Sequence, residues 1–266
     1  EGLRYALLAP GQAARVKTAA GWRDVSAGSV DPQKPYRYLH PDGSGRSIAL
    51  FFYDGSISRA IAFEGALASS EALIERCERA SGGAGTLVHA VTDGESYGHH
   101  HKFGDRCIAH ALTREAQKRG FWVTNYGELL DQHPADVEVE ISQGDDGMGS
   151  SWSCAHGVGR WYRDCGCHTG GKAGWTQAWR KPLRDALDGL RDEAAVLYEE
   201  RMGALASDPW ALRDAYVELV VDPRADRDAF FRRQLGKRLA PKERIHALRL
   251  LESQRSSMLM YTSCGW

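Results

Sequence analysis

Through residue 145 the chain alternates short apolar runs with amphipathic stretches, and after a tract rich in Gly, Ser and Asp it becomes helical in pattern; no other feature restricts the fold as strongly. The runs YALLA (5–9), SIALFFY (47–53), TLVHAV (86–91), FWVT (121–124) and VEVEI (137–141) read as strands from their β-branched and aromatic content and flanking turns. Between them, residues 57–80 and 103–119 carry apolar side chains at helical spacing. Strand, helix, strand in this order predicts a parallel α/β sheet or barrel. Residues 10–45 sustain no period and are rich in Gly, Pro and Ser, which predicts a long loop. SQGDDGMGSS (142–151) has the composition of a boundary. Beyond it, residues 175–202, 209–221, 225–239 and 241–254 are helical in pattern, with Asp208 before Pro209 as an N-cap and first-turn pair.

The 266 residues, 42% hydrophobic and 26% charged, suffice for one large domain or two modest ones. A net charge of −1 carries no nucleic-acid footprint, and no apolar run reaches the length of a membrane span, so neutral partners are expected, with no nucleic acid and no membrane. Six cysteines are too sparse for a disulfide scaffold and point to a reducing, cytoplasmic setting. The chain opens on Glu1 and closes on the apolar MLMYTSCGW, so a piece of a longer protein is expected.

The densest chemistry lies in TDGESYGHHH (92–101), which follows an apolar run at the place where α/β sheets and barrels hold their ligands. Gly94 and Gly98 permit sharp turns, so Asp93, Glu95, Tyr97 and the histidines have a route to one pocket. Three adjacent histidines cannot all face one point, because neighbouring side chains alternate faces. Residues i and i+2 of a strand share a face, but a turn at Gly94 diverts Glu95 from acting as the partner of Asp93. Asp93 with His99 or His101 would suit a metal hydrolase, although no separate His pair at helical spacing accompanies them.

TDGESYGHHH resembles the fourth signature region of glycoside hydrolase family 57, in which a strand ends in Asp, followed by an acidic residue two positions on, then an aromatic, Gly and His. The resemblance implies that Asp93 is the general acid/base and that Glu95, Tyr97 and His99 shape the substrate site. A retaining mechanism needs two carboxyl groups about 5–5.5 Å apart, the acid being held protonated by burial near the nucleophile. LFFYDGSISRAIAFEGAL (50–67) is similar to another family segment; Asp54, Ser58, Ile61 and Phe63 match it, which makes Asp54 a substrate contact, while Tyr53 and Arg59 depart from it. SSWSCAHGVGRW (150–161) resembles the fifth region, which brings aromatic residues to a glucan cleft, here Trp152 and Trp161. With residues 164–187 it resembles an uncharacterised domain that trails the catalytic domain in a bacterial subgroup. The opening segment EGLRYALLAPGQA (1–13) looks like the stretch just downstream of the family's nucleophile, so that group is expected outside this chain.

The resemblance implies an α/β fold, an incomplete (β/α)7-type barrel over residues 1–145, followed by an α-helical domain over 146–266 that closes one side of the site. The implied activity is that of a retaining hydrolase or transglycosylase on α-1,4-linked glucan or maltooligosaccharide, of amylase, 4-α-glucanotransferase or branching type, with no cofactor. A noncatalytic α-glucan-binding protein and a metal-dependent carbohydrate deacetylase are the competing readings. Cys154, His156, Cys165, Cys167 and His168 supply soft ligands at short spacings, as a structural zinc site would, though CxH and CxC are tighter than usual and buried thiols are the plainer expectation. Trp175 and Trp179, four apart, are expected on one helical face, where packing explains them as well as sugar stacking does.

Overall fold

The computed structural model describes residues 3–167 and 170–262, so His168 and Cys264 lie outside the described residues. These residues fall into two compact units, Glu1–Val158 and Gly159–Trp266.

The first unit is built on a six-stranded mixed sheet: β1 (Tyr5–Leu8), β2 (Ala13–Thr18), β3 (Gly21–Asp24), β4 (Tyr36–Leu39), β5 (Ser47–Phe52) and β6 (Val137–Ile141), in the order β1-β5-β4-β6-β2-β3. β1 runs parallel to β5 with Tyr5 opposite Ala49, and β4 runs parallel to β6; the other pairs are antiparallel. Alternate side chains of these strands, among them Val16, Tyr36, Leu50, Phe52 and Val139, are buried together with Val25 and Val30. An α/β architecture followed by helices is what the sequence pattern called for, but the sheet is open and mixed.

Three expectations change here. Residues 10–45 are not one long loop: they supply β2, β3 and β4. β3 is exposed along its length, so it carries no alternating apolar signal to read. It is held by pairing with β2 around Gly21, whose φ of +112° suits glycine, and Trp22 lies against the Arg15 guanidinium. Conversely, TLVHAV and FWVT are extended but form no strand. β5, beside which the first of these runs, already has β1 and β4 on its two edges, so the segment is tied by single bonds instead of a ladder.

The same unit carries α1 (Gly55–Phe63) and α2 (Ser70–Ala80), then α3 (Gly104–His110), which passes through a π-helical turn at Ala111–Glu115 into α4 (Ala116–Lys118), and α5 (Tyr126–Gln132), whose Tyr126 ring meets Tyr5 and Phe51 of the sheet. Ile57, Ile61, Leu73, Ile74, Ala111 and Ala116 form their shared core. Side chains of Asp54, Ser69 and Asn125 accept a backbone N–H at the starts of α1, α2 and α5, satisfying groups that a helix leaves unpaired at its first turn.

The second unit consists of α6 (Arg180–Gly203), α7 (Pro209–Ala215), α8 (Val217–Val221), α9 (Arg227–Leu235) and α10 (Pro241–Leu259). Asp208 caps α7 through the Ala211 N–H with Pro209 in the first turn, as the sequence indicated. Tyr198, Met202, Phe230, Phe231 and Leu251 are fully enclosed, and Gln254 of α10 donates to the Ala194 carbonyl of α6. Helix α6 begins at Arg180, so Trp175 stands outside it and does not share a helical face with Trp179. The glycines of GGKAGW, with positive φ at Gly170, Gly171 and Gly174, oppose helix formation there. Among the described residues no helix is long and apolar enough to cross a membrane.

Candidate active site

The segment that carries Asp93 is positioned by a buried histidine. His89 donates from Nε2 toward the carbonyls of Pro32 (3.0 Å) and Phe52 (3.1 Å), which leaves Nδ1 to accept from the Tyr126 hydroxyl at 3.0 Å. Burial pushes its pKa below the ordinary histidine value, in keeping with a neutral ring that has one donor and one acceptor nitrogen. The His89 carbonyl accepts from the Asp54 N–H (3.1 Å), and the Leu87 N–H donates to the Gln33 carbonyl (3.1 Å). Ser58, also buried, adds a further tie: its Oγ donates to the Asp54 carbonyl (2.8 Å) and accepts from the Val91 N–H (3.0 Å). The segment is therefore anchored to the end of β5 and the start of α1 on both sides of residue 90.

Beyond these anchors the chain makes a short 3-10 turn, Gly94–Ser96, with Asp93 at its N-cap position. The Asp93 carboxyl makes no capping bond and is exposed, as is Glu95. The burial expected of a general acid is thus not provided by these residues. Tyr97 turns inward, packs against the helical core and accepts a hydrogen bond at its hydroxyl from Thr92 Oγ1 (2.8 Å). Gly98, at φ +127°, reverses the chain so that Tyr97 and His101 form a bridge. His101 donates from Nε2 to the Ala62 carbonyl at 2.9 Å, whereas His99 and His100 remain exposed with their rings in edge-to-face contact, 4.9 Å apart. Gly104 then closes the loop: a Cβ there would lie 3.0 Å from Leu67 and 3.1 Å from the Ser96 carbonyl. The three histidines are accordingly divided, one holding the loop and two facing outward.

Asp54, matched to a substrate contact, spends its Oδ1 on the Ile57 N–H (2.9 Å) as the cap of α1. Trp152 is exposed, and Trp161 is half-buried at the end of the short turn Gly157–Trp161, its ring 5.6 Å from the Arg160 guanidinium carbon. A cavity of about 1000 Å³ lies among α1, α2 and the segment 83–90, lined by Ile57, Leu73, His89, Tyr97 and Tyr126 among others. Neither Asp93 nor Glu95 lines it. Among the described residues, Asp93 belongs to no group of three or more metal-ligating side chains; such a group forms instead from Cys154, His156, Cys165 and Cys167.

His89 was not singled out from the sequence, where it sits as one polar residue inside an apolar run. Its signal was the mismatch itself, since a buried polar ring must find partners. Ser58 was legible only as a motif match, and its bond to Val91, 33 residues away, is a product of tertiary structure.

The chain is similar to the crystal structure of an exo-type maltose-forming amylase from Pyrococcus sp. ST04, with a TM-score of 0.54 and 14% identity over 96% of this chain. This chain spans 45% of that structure's length, and at such identity the likeness speaks for the fold. No curated protein matches it. Residues 16–142 match the model of glycosyl hydrolase family 57, and residues 175–266 match that of a domain of unknown function, DUF3536. The chain thus carries a glycosyl hydrolase family 57 domain followed by a DUF3536 helical domain.

Proposed function

We propose that this chain is part of a retaining glycoside hydrolase or transglycosylase that acts on α-1,4-linked glucan, with Asp93 as its general acid/base. The observation that carries the reading is the state of the Asp93 carboxyl: it follows a segment anchored at His89 and, through Ser58, at Val91, and stands at the N-cap position of a short turn, yet it caps nothing. The family 57 match spans this turn, and the maltose-forming activity named for the similar Pyrococcus structure suggests the substrate class. Asp93 protonates the glycosidic oxygen and then deprotonates the incoming water or sugar hydroxyl. Glu95 and His99, exposed on the same turn, contact the sugar, with Tyr97 shaping the loop beneath them. Trp152 and Trp161 supply aromatic faces for sugar rings.

In this reading residues 1–145 contribute to a (β/α)7-type barrel catalytic domain and 146–266 form the helical domain.

The test is turnover of maltooligosaccharides and amylose by the protein that carries these residues, as wild type and as Asp93→Asn. Both reducing ends and chain-length redistribution are followed. Asp93→Asn is expected to lower every turnover by about 10²–10⁴-fold, the usual contribution of a positioned acid/base. Unchanged turnover in the variant sinks the assignment, and longer or branched products without matching reducing ends show transfer.

A further inference from the structure

The geometry points to a structural zinc site formed by Cys154, His156, Cys165 and Cys167. The four side chains lie within fourteen consecutive residues, as a CxH pair and a CxC pair. Their ligand atoms, three Sγ and one imidazole nitrogen, all fall within 4.8 Å of one another. Cys154 Sγ and His156 Nδ1 are 3.7 Å apart. Tetrahedral zinc, with Zn–S of about 2.3 Å and Zn–N of about 2.0–2.1 Å, separates a sulfur from a nitrogen by about 3.6 Å and two sulfurs by about 3.8 Å. The cluster is within about 1 Å of that arrangement throughout, a difference that side-chain rotation covers.

Ligand chemistry selects the metal. Three thiolates and an imidazole suit a borderline-soft ion and disfavour magnesium or calcium, which take oxygen ligands. Four protein ligands leave no open position, so the role is structural. Cys154 and Cys165 are buried, Cys167 is half-buried and His156 is exposed, which encloses the metal with one imidazole at the rim.

The segment also needs such a clamp. Between Ser150 and Trp179 the described residues form no strand and no helix beyond the short turn Gly157–Trp161. Gly157 at φ +66° and Gly166 at φ +78° reverse the chain close to the ligands. At Gly157 a Cβ would lie 2.4 Å from the Gly149 carbonyl oxygen, so the tight turn is open to glycine alone. A stretch with so little regular structure has few backbone bonds of its own, and a metal-closed loop offsets the chain entropy of ordering it.

The experiment is metal analysis of the full chain, purified without chelator and dialysed, followed by replacement of the metal with Co²⁺. About one zinc per chain is expected, and the cobalt protein should show thiolate-to-cobalt charge transfer with the intense visible bands of a tetrahedral site. Cys165→Ser should retain at least roughly tenfold less metal. Cys77→Ser should retain it fully, because that thiol lies outside the cluster and burial pushes its pKa up to about 11. Absence of bound metal, a cobalt spectrum without thiolate charge transfer, undiminished retention in Cys165→Ser, or a disulfide among these cysteines in non-reduced peptide maps each overturns the proposal. The cobalt spectrum of the wild-type chain stands as a test even where a cysteine variant fails to fold.

Discussion

Asp54 and Asp93 invite comparison because their surroundings are so alike in sequence. Each comes after an apolar run, each precedes a glycine, and each occupies the N-cap position of a helical turn. Their carboxylates are used differently. Asp54 precedes a nine-residue helix and gives Oδ1 to its Ile57 N–H. Asp93 precedes a three-residue turn that makes no demand on the side chain, and its carboxylate stays exposed. The length of the helical segment after each aspartate decides the outcome: a helix offers unpaired first-turn N–H groups to its cap, and a single turn that reverses at Gly98 offers its ring of polar groups to a ligand instead. A carboxylate engaged in holding a helix is a poor proton shuttle, so the acid/base role is proposed for Asp93, while Asp54 serves as the cap of α1.

The largest effect that sharpens this contrast is on rate. Asp93→Asn should remove about 10²–10⁴-fold of turnover, while the thermal melt stays within about 0.5 kcal/mol of wild type, as for an exposed substitution. A melt that falls along with activity would make Asp93 a second structural carboxylate and dissolve the distinction. Next comes Ser58→Ala, which leaves the Val91 N–H without its acceptor. A loss of about 1–2 kcal/mol in denaturant unfolding is expected, and none would show that His89 alone anchors the segment. Asp54→Ala should cost about 1 kcal/mol through the lost cap, with Asp54→Ser recovering most of it.

The smallest effect is a pH dependence set by His89. Burial holds its folded pKa below the ordinary value of about 6.5, so in the window between the two the unfolded chain binds more protons. Its contribution is therefore fully present above about pH 6.5 and is lost as pH falls through that window. Melts between about pH 5 and 7.5 should show a shallower slope for His89→Gln than for wild type. Equal slopes would mean that the histidine binds protons alike in the folded and the unfolded chain.

Much of this was legible from local chemistry. Asp208 before Pro209 announced α7, and the β-branched or aromatic content of SIALFFY and VEVEI with their flanking turns announced β5 and β6, because caps and strand composition act within a few residues. The candidate acid/base was likewise visible as a motif at the end of an apolar run. What escaped was whatever depends on a partner distant in sequence. β3 has no apolar face and exists through its pairing with β2. TLVHAV has the composition of a strand but runs beside a β5 whose edges are both taken. Pattern also overran local chemistry at Trp175, where glycines at positive φ keep the chain out of α6 until Arg180.

The sequence by itself determined which residues could do chemistry: a carboxyl in a glycine-flanked turn, a set of soft ligands at close spacing, and helices with their own caps. Tertiary structure alone decided which of those residues were left available. It engaged Asp54 in α1 and left Asp93 open, drew His101 to the Ala62 carbonyl and left His99 outside, and gathered three thiols and one imidazole within 4.8 Å. The reason is physical: the identity of a side chain is written locally, but its hydrogen-bond partners and its burial depend on chain that folds back from tens of residues away.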